Sequence, residues 1–599
     1  MDIEGYAVAQ VIANIAQTDR IIANLALRDK IPIWDGDIFV YSDSTDHSNE
    51  HLLRKIPAQV KGNVGKINSK RINYSIKVCD LVHYKNTGGA IFFLVRIDKK
   101  NNKIDSRIYY AKLLPFSIMM QLNQHYGQKT ISFEFREFPT AENHIIGFFN
   151  RFCNDAKKQL SIANKEELPT LKNLQEAGVN VNRQEFQLLP NDGEHMFSQF
   201  FEDSTYTYVT DHIGNKYPIQ EIPPSSEIKQ TLYVDIYCNE KKYYNHYDQL
   251  ITPSETQEFY GRSIKISGSH SDKKRTLTFT PAGTFSDIIL DAEFIINVTQ
   301  TSRLKIGQAE RNITFHDPEW DKKNQLETFK KQLEDCLHAL TSIGASDIDI
   351  NNLSEEDWQK INILVNAFVY KRPVKLSVDF NAFTHIFEIA NQKILVFATA
   401  TANAGMYMLH NFTKTNLKPF IAEESGNKRI SQFSLLDKDD WKNITNIDYA
   451  AVFDIIIDDI GISEEYDDEI NILLLTMLTA YDECKIPNKQ LLDLIIKIAE
   501  YWQKRDMGTS STKCVYQLNY LQSIKRKRDL TIEENQFLTN ILKDDEINIV
   551  LKVGANILLE DFSRAARLFN SLDDKQKTSI MNFPIANLWK HNCPMHESQ

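Results

Sequence analysis

The spacing of apolar residues over the first 140 positions predicts a mixed α/β unit. Apolar side chains recur at helical spacing over residues 3–28. They are Ile3, Ala7, Val11, Ile15, Ile21, Ile22 and Leu25. Strand-like segments follow, and the last of them is KTISFEFREFP. We therefore expect an N-terminal domain over residues 1–139.

The pattern changes four times further along the chain. Residues 140–184 begin as an amphipathic helix, HIIGFFNRFCNDAKKQL, and then lose their periodicity, which is typical of a connector. Residues 185–317 alternate between polar and β-branched or aromatic side chains in TYTYVTD, QTLYVDIYC, YGRSIKISGS, RTLTFTPAG and EFIINVTQ, which predicts an all-β module. Residues 318–436 combine a helix with three strands, and residues 437–599 are almost wholly helical, without a clean repeat period. The expected fold class is multidomain α+β.

Composition narrows the class of protein. The chain has 599 residues, of which 42% are hydrophobic and 25% charged, and no apolar run reaches the roughly 18 residues of a membrane helix. Its seven cysteines form no CxxC pair, and the acidic first residues do not fit a secretory signal. We expect a reduced, cytoplasmic protein without a membrane partner. Because the net charge is -11, contact with nucleic acid would need a local basic surface.

Two short segments predict a β-hairpin with polar residues at its ends. DIFVY and KIPAQVKG each indicate a strand, and the polar loop between them favours an antiparallel pair. Asp35 precedes the first strand, whereas Gln59 and Lys61 lie two positions apart and so share one face of the second. One register of the pair would bring the three side chains together.

These residue types suit the hydrolysis of a phosphodiester. Mg²⁺, or Mn²⁺ in its place, takes oxygen ligands, which the Asp35 carboxylate, the Gln59 amide and the Val60 carbonyl would supply. A lysine such as Lys61 would stabilise the charge that develops on the phosphate. The alternative is structural, because Gln-x-Lys is common on exposed strands and Asp-Gly is a frequent turn dipeptide.

The same residues resemble the PD-(D/E)xK, or restriction-endonuclease-like, nuclease superfamily in its D…QxK variant. That variant occurs in the N-terminal nuclease domains of bacterial anti-phage defence proteins. The matching segments are Glu4 in the first helix, WDGDIFV, PAQVKG, GGAIFFLVRID and RIYYAKLLP, over about the first 135 residues. The resemblance implies that Asp35 is the catalytic metal ligand, Gln59 the second ligand, Lys61 the catalytic lysine and Glu4 a further ligand. Asp37 competes with Asp35 for the ligand role.

Three further groups of residues have side chains that suit the binding of phosphate or metal. Lys66, Lys70, Arg71 and Lys77 could contact phosphates beside the site, or could equally form a solvated loop and strand face. The basic run Lys525 to Arg528 could contact nucleic acid or an acidic partner, although such runs are more often solvated helix ends. His591, Cys593 and His596 are too few ligands, without a CxxC partner, for a structural zinc site.

The sequence thus predicts a metal-dependent nucleic-acid endonuclease, with DNA favoured over RNA. We expect it to act as an anti-phage defence effector that its C-terminal domains restrain until a phage-derived component or a partner protein triggers it. Those domains could also assemble a homo-oligomer. The alternative is a non-catalytic recognition or scaffold protein with a vestigial nuclease fold that binds a protein partner. No P-loop, GxSxG or HExxH motif supports ATP-driven, triad or metalloprotease chemistry.

Overall fold

The chain divides into two units in a computed structural model. The structure describes residues 2–26, 33–67, 69–100, 103–272, 274–313, 322–423, 426–460, 463–504 and 510–590. The first unit consists of Met1–Tyr233, Tyr247–Phe259 and Lys265–Thr278. The second consists of Val234–His246, Tyr260–Ile264 and Phe279–Gln599.

A seven-stranded mixed sheet forms the centre of the first unit. Its elements in chain order are α1 (Ile3–Ile15), β1 (Ile21–Leu25), β2 (Gly36–Tyr41), β3 (Leu52–Val64), β4 (Arg71–Lys77), α2 (Val78–Asn86), β5 (Ala90–Lys100), β6 (Lys103–Leu113), α3 (Pro115–Gln124), β7 (Thr130–Glu137) and α4 (Glu142–Lys158). The strand order is β1-β2-β3-β5-β6-β7-β4. Only β3 and β5 run parallel, and the other neighbouring strands of this sheet are antiparallel. The N-terminal part is therefore an α/β sheet, as the sequence predicts.

Both faces of the sheet are covered, which explains the continuous apolar run of β5. Ile91 and Phe93 pack into a core that contains residues of α1 and α4. Phe92 and Leu94 point into a second core with residues of α2 and α3. A strand that is buried on both faces loses the polar alternation of a half-exposed strand. Because α4 contributes to the first core, the helix at the start of the predicted connector belongs to the N-terminal unit.

Helix α1 packs closely on β3. The helix begins at Ile3 because Asp2 caps it, with Asp2 Oδ1 accepting a hydrogen bond from the Gly5 amide at 3.0 Å. A Cβ on Gly62 of β3 would lie 2.7 Å from both the side chain and the carbonyl oxygen of Ile3. Glycine at position 62 therefore allows the first turn of α1 to lie directly on the strand.

The prediction of helical structure at residues 21–25 was wrong. The structure forms strand β1 there, which pairs with β2 from Ile21 opposite Val40 to Leu25 opposite Gly36. Ile21 and Leu25 are both buried. A separation of four residues places two side chains on one face of a helix and also on one face of a strand, so the spacing cannot distinguish the two.

The middle of the chain is rich in small sheets. Its elements are α5 (Leu160–Ala163), α6 (Leu171–Glu176), α7 (Ser198–Glu202), β8 (Thr205–Thr210), β9 (Lys216–Ile222), β10 (Ile228–Leu232), β11 (Ile236–Cys238), β12 (Lys241–Tyr244), β13 (Tyr247–Ile251), β14 (Glu255–Tyr260), β15 (Ile264–Ser269), β16 (Thr276–Phe279), α8 (Phe285–Thr301), β17 (Arg303–Ile306) and β18 (Ala309–Asn312). They form the hairpin β8-β9, a sheet in the order β10-β13-β14-β15-β16 and a sheet in the order β12-β11-β17-β18. The β-rich character is as predicted.

The strand predicted at EFIINVTQ was wrong, since these residues belong to helix α8. Thr284 and Asp287 form a capping box, in which each side chain accepts a hydrogen bond from the other residue's amide. Phe285, Ile288 and Ala292 then follow at helical spacing and are buried. The T-x-x-D signal before the apolar run outweighs the strand preference of the Ile-Ile pair.

The second unit continues with a mixed region and a helical region. The mixed region contains α9 (Lys322–Ser342), α10 (Glu355–Phe368), β19 (Val374–Lys375), β20 (Ala382–Ile389), β21 (Gln392–Ala400), β22 (Met406–Asn411), β23 (Phe420–Glu423) and β24 (Gly426–Arg429). The helical region contains α11 (Lys438–Asn443), α12 (Tyr449–Asp459), α13 (Glu464–Glu483), α14 (Lys489–Gln503), α15 (Ser510–Lys525), α16 (Ile532–Lys543), α17 (Ile549–Leu558), α18 (Phe562–Asn570), α19 (Asp574–Asn582) and α20 (Ile585–Lys590). The C-terminal helical character is as predicted. Within the described ranges, none of the helices has the length and apolar character needed to cross a membrane.

Gly36 should tolerate no side chain. Its φ is +150°, and a Cβ there would lie 2.2 Å from the Asn24 carbonyl oxygen of β1. We expect Gly36→Ala to destabilise the β1-β2 pair by about 2–4 kcal/mol through overpacking and strain. Hydrogen exchange of the β1 and β2 amides measures this loss.

Gly127→Ala is the matched control for this variant. Gly127 also has a positive φ, +82°, but an added Cβ would meet no atom within 4 Å. We expect Gly127→Ala to lower the free energy of unfolding by only about 1 kcal/mol, because a residue with a Cβ is unfavourable at a positive φ. Equal effects of the two variants on β1 and β2 would show that the close approach of β1 to Gly36 is not what matters.

Candidate functional site

The register between β2 and β3 brings Asp35 beside Gln59. Gly36 lies opposite Ala58, so the residue before β2 lies opposite Gln59. The Asp35 amide donates to the Ala58 carbonyl at 2.9 Å, and the Asp35 carbonyl accepts from the Ala26 amide at 2.8 Å. The backbone of Asp35 is thus held from both sides, by the chain of β3 and by the residue that follows β1.

The side chain of Asp35 contacts the strand that carries the Gln-x-Lys triplet. Its Oδ2 accepts a hydrogen bond from the Val60 amide at 2.7 Å and another from Gln59 Nε2. Gln59 Nε2 also donates to the Val60 carbonyl at 3.3 Å. Gln59 is only 7% exposed. A carboxylate oxygen, a backbone carbonyl oxygen and a buried amide therefore meet at the end of the hairpin.

Lys61 and Glu4 form the second part of the site. Lys61 Nζ lies 3.1 Å from Glu4 Oε1, and both side chains are well exposed. The close packing of α1 on Gly62 accounts for this pair, because it brings the first turn of the helix over the residue that follows Lys61. Both charges act on Asp35, since Lys61 lowers the pKa of that carboxyl and Glu4 raises it.

Burial raises the pKa of Asp35 above the ordinary value for an aspartate. The hydrogen bond from the Val60 amide, the Lys61 charge and the Gln59 amide each lower the pKa without cancelling the effect of burial. The ionised carboxylate is thus incompletely compensated by the protein's own groups. A bound cation would supply the missing compensation.

The segment before Asp35 carries backbone strain. Ile33 has a φ of +90°, which is rare for a β-branched residue. Tyr84 of α2 donates from its hydroxyl to the Ile33 carbonyl at 2.9 Å. Burial raises the pKa of Tyr84 far above its ordinary value, so the hydroxyl remains a donor at neutral pH. We infer that Tyr84 positions the chain that presents Asp35.

The oxygen atoms of this group are of the type that a hard divalent cation takes as ligands. Asp35 Oδ2 and the Val60 carbonyl oxygen both accept a hydrogen bond from the same Gln59 nitrogen, so the two oxygens face one point. An amide that presented Oε1 in place of Nε2 would add a third oxygen. Carboxylate, carbonyl and amide oxygens are the ligands that Mg²⁺ and Mn²⁺ prefer.

Asp37 lies outside this group of residues. It stands opposite Pro57 in the β2-β3 pair, and its carboxylate forms an ion pair with Lys55 at 2.9 Å. Lys55 lies diagonally across the two strands, where opposite charges attract. Of the two aspartates that the sequence left as alternatives, the structure brings Asp35 to Gln59 and Val60, and the charge of Lys61 acts on it without forming an ion pair.

The four predicted phosphate-binding residues are not all close to the hairpin. Lys66 follows the end of β3, whereas Lys70, Arg71 and Lys77 lie on or beside β4. β4 is the edge strand, four strand spacings from β3, which corresponds to about 19 Å at about 4.8 Å per spacing. Arg71 also pairs with Glu134 at 3.4 Å. Their contact with nucleic acid stays a prediction, and it would require a ligand that spans the sheet.

The basic run that begins at Lys525, the last residue of α15, is paired within the second unit. Each of its four side chains has a carboxylate partner, and the pairs are Lys525 with Glu560 at 2.6 Å, Arg526 with Asp482 at 2.6 Å, Lys527 with Asp493 at 2.7 Å and Arg528 with Glu534 at 2.8 Å. Arg526 is almost fully buried. These charges hold helices together, which favours the structural interpretation of the run.

Comparison of the chain with protein-family models, with curated proteins and with solved structures found no match in any of the three. The residues of the site and their geometry are therefore the basis of the function proposed below.

The raised pKa of Asp35 gives a testable dependence of stability on pH. Below about pH 4, which is the ordinary pKa of an aspartate, the Asp35 carboxyl is protonated in both the folded and the unfolded state. As the pH rises through the higher folded-state pKa, the wild type loses stability because ionisation is less favourable in the folded site. Asp35→Asn keeps an acceptor for the Val60 amide and cannot ionise.

We therefore expect the stability of Asp35→Asn relative to the wild type to increase from about pH 4 upward and then to level off. Denaturant unfolding without divalent ions, followed by hydrogen exchange of β2 and β3, measures the difference. A difference that stays constant with pH would contradict the assigned effect of burial on Asp35.

Proposed function

We propose that this chain is a metal-dependent endonuclease of the PD-(D/E)xK kind that hydrolyses the phosphodiester bonds of nucleic acid. The observation that carries the proposal is the meeting of Asp35, Gln59 and the Val60 carbonyl at one end of the β2-β3 hairpin. Lys61 lies two residues after Gln59 on β3 and forms an ion pair with Glu4 of α1, and both charges act on Asp35. Such a combination of oxygen ligands and a lysine suits chemistry at a phosphate.

The order of the elements supports the same proposal. Helix α1 precedes the antiparallel strands β1, β2 and β3, and α2 comes before β5, which lies parallel to β3. The resemblance requires this succession of a helix, an acid-tipped strand, a Gln-x-Lys strand and a following αβ unit. Strand β4 comes between β3 and α2 and joins the far edge of the sheet, so it leaves the succession intact.

Each residue has a role in the proposed reaction. Asp35, the Val60 carbonyl and Gln59 would hold Mg²⁺ or Mn²⁺, which would polarise the phosphate and lower the pKa of a bound water. Lys61 would donate a hydrogen bond to the phosphate oxygen on which negative charge develops. Glu4 holds the Lys61 ammonium group and is the group to which Lys61 or a water could pass a proton.

The net charge of the site indicates why substrate would assist metal binding. Asp35 and Glu4 are acidic, Lys61 is basic and Gln59 is neutral, so the side chains together contribute a single negative charge. A site with two carboxylates and no lysine beside them would bind a divalent ion more tightly. A phosphate of the substrate would add negative charge and raise the affinity for the metal.

We further propose that DNA is the preferred substrate and that the protein is an anti-phage defence effector. Both statements rest on the resemblance of the first 135 or so residues. A destructive activity needs control, and the β-rich and helical parts of the chain are large enough to bind a trigger or a second copy of the chain. A phage-derived component or a partner protein would release the nuclease.

One observation favours the alternative, a non-catalytic protein that binds a partner. The buried Gln59 amide already satisfies Asp35 Oδ2 and the Val60 carbonyl through its nitrogen. A vestigial site could remain stable in that form without any metal. Cleavage and metal binding by matched variants separate the two functions.

Cleavage should depend on Lys61. We expect Lys61→Ala to lower the rate of DNA cleavage with Mg²⁺ or Mn²⁺ by about 10²–10³-fold, because the developing phosphate charge loses its cation. The assay compares linear, supercoiled and single-stranded DNA with RNA, in the presence of candidate triggers.

Lys55→Ala is the matched control, because Lys55 lies on the same strand and also pairs with a carboxylate, that of Asp37. It should leave the rate unchanged. Equal loss of activity in both lysine variants would point to the stability of β3 and would contradict the assigned role of Lys61.

Metal binding should depend on Asp35 and not on Asp37. We expect Mg²⁺ to stabilise the wild type against unfolding, by about 2.7 kcal/mol when the ion is at a hundred times its dissociation constant. Asp35→Asn should abolish this shift, whereas Asp37→Asn should retain it. Thermal unfolding with increasing Mg²⁺ measures both. A shift that survives Asp35→Asn would rule out the proposed ligand set, and no shift in the wild type would favour the non-catalytic alternative.

A further inference from the structure

A second group of metal-ligating side chains lies in the first unit, between α4 and the chain that leads into α7. His144 is in the first turn of α4, Glu194 is in the connection before α7, and Glu202 ends α7. His144 Nε2 lies 2.9 Å from Glu194 Oε1, and Nδ1 lies 3.3 Å from Glu202 Oε1. One ligand atom of each residue lies within 4.8 Å of the other two.

A buried asparagine, Asn191, donates hydrogen bonds to the outer oxygens, both Oε2, of the two glutamates. Asn191 Nδ2 donates to Glu194 Oε2 at 2.9 Å and to Glu202 Oε2 at 3.0 Å. Asn191 is 3% exposed. The inner oxygens, both Oε1, are thereby turned toward the imidazole. Outer hydrogen bonds of this kind orient the ligands of metal sites.

The position of Asn191 is itself fixed. The Asn191 side-chain oxygen, Oδ1, accepts a hydrogen bond from Arg151 Nη1 at 2.8 Å, and Arg151 is 4% exposed. A Cβ on Gly147 of α4 would lie 1.9 Å from that oxygen. Glycine inside a helix costs about 1 kcal/mol relative to alanine, and here it makes room for Asn191.

The two basic side chains near these glutamates, Arg151 and Lys112, both form ion pairs with Asp203. Arg151 Nε donates to Asp203 at 3.2 Å, and Lys112 also pairs with Asp203. The nearest guanidinium nitrogen to Glu202 is 3.8 Å away. Glu202 therefore shares Arg151 with Asp203, and Glu194 has His144 as its ion-pair partner.

We propose that His144, Glu194 and Glu202 bind a divalent transition-metal ion of the zinc class, with one imidazole nitrogen and the two Oε1 atoms as ligands. An imidazole ligand favours Zn²⁺ and related ions over Mg²⁺ and Ca²⁺, which distinguishes this site from the oxygen ligands around Asp35. Three protein ligands leave a fourth position for water. The ion would tie α4 to the connection between α6 and α7. This proposal does not depend on the proposed nuclease function.

Zinc binding to the full chain tests the proposal. The background protein carries Asp35→Asn together with His591→Ala, Cys593→Ser and His596→Ala, since those three C-terminal residues lie outside the described residues and are zinc-ligand types. After chelation and desalting, calorimetric titration with Zn²⁺ should show one bound ion per chain. His144→Ala should weaken binding at least 100-fold, and Asn191→Ala by about 10- to 100-fold.

His212→Ala is the matched control, because His212 is an exposed histidine in the turn between β8 and β9 of the same unit. It should bind Zn²⁺ as the background protein does. Co²⁺ added to the background protein provides a readout that needs no further variant, because a four-coordinate site gives visible absorption that Zn²⁺ then removes. No zinc binding, no cobalt absorption, or binding that His144→Ala leaves unchanged would overturn the proposal and identify the group as an ion pair only.

Discussion

The pairing of β2 with β3 is the constraint on which the site depends. With Gly36 opposite Ala58, Asp35 reaches the Val60 amide and the Gln59 side chain across the end of the hairpin. A shift of one residue would turn the alternating side chains to the other face of the sheet. The register is held by burial, because Ile38 and Ile56 lie opposite each other in the core beneath α1.

Three close approaches around this hairpin act together. Gly36 allows β1 to lie against β2, Gly62 allows α1 to lie on β3, and Tyr84 holds the strained segment at Ile33. The contacts at Gly36 and Tyr84 position Asp35. The contact at Gly62 positions the Lys61–Glu4 pair. The partly buried Asp35 carboxylate is the least compensated charge in this arrangement, as its raised pKa indicates. In the proposed function, this carboxylate is the group that a divalent cation would bind.

Much of this arrangement could be predicted from the sequence, because local patterns specify it. The hairpin strands, helix α4 and the C-terminal helices follow from alternation and helical spacing. The choice between Asp35 and Asp37 could not be made, since it depends on a register that only the folded pair defines. The position of β4 beyond β7 and the ion pair between Asp37 and Lys55 likewise depend on contacts between distant or diagonal residues. The His144 group was missed because His144 is far in sequence from Glu194 and Glu202, and the three residues form no motif.

The most direct test of the central claim is the location of a bound ion. Crystals soaked in Mn²⁺ would be measured at a wavelength where manganese scatters anomalously. We predict a peak about 2 Å from Asp35 Oδ2 and from the Val60 carbonyl oxygen, with Gln59 turned to present Oε1. A peak at Asp37 and Lys55, or no peak near the hairpin in crystals that bind Mn²⁺ elsewhere, would contradict the account.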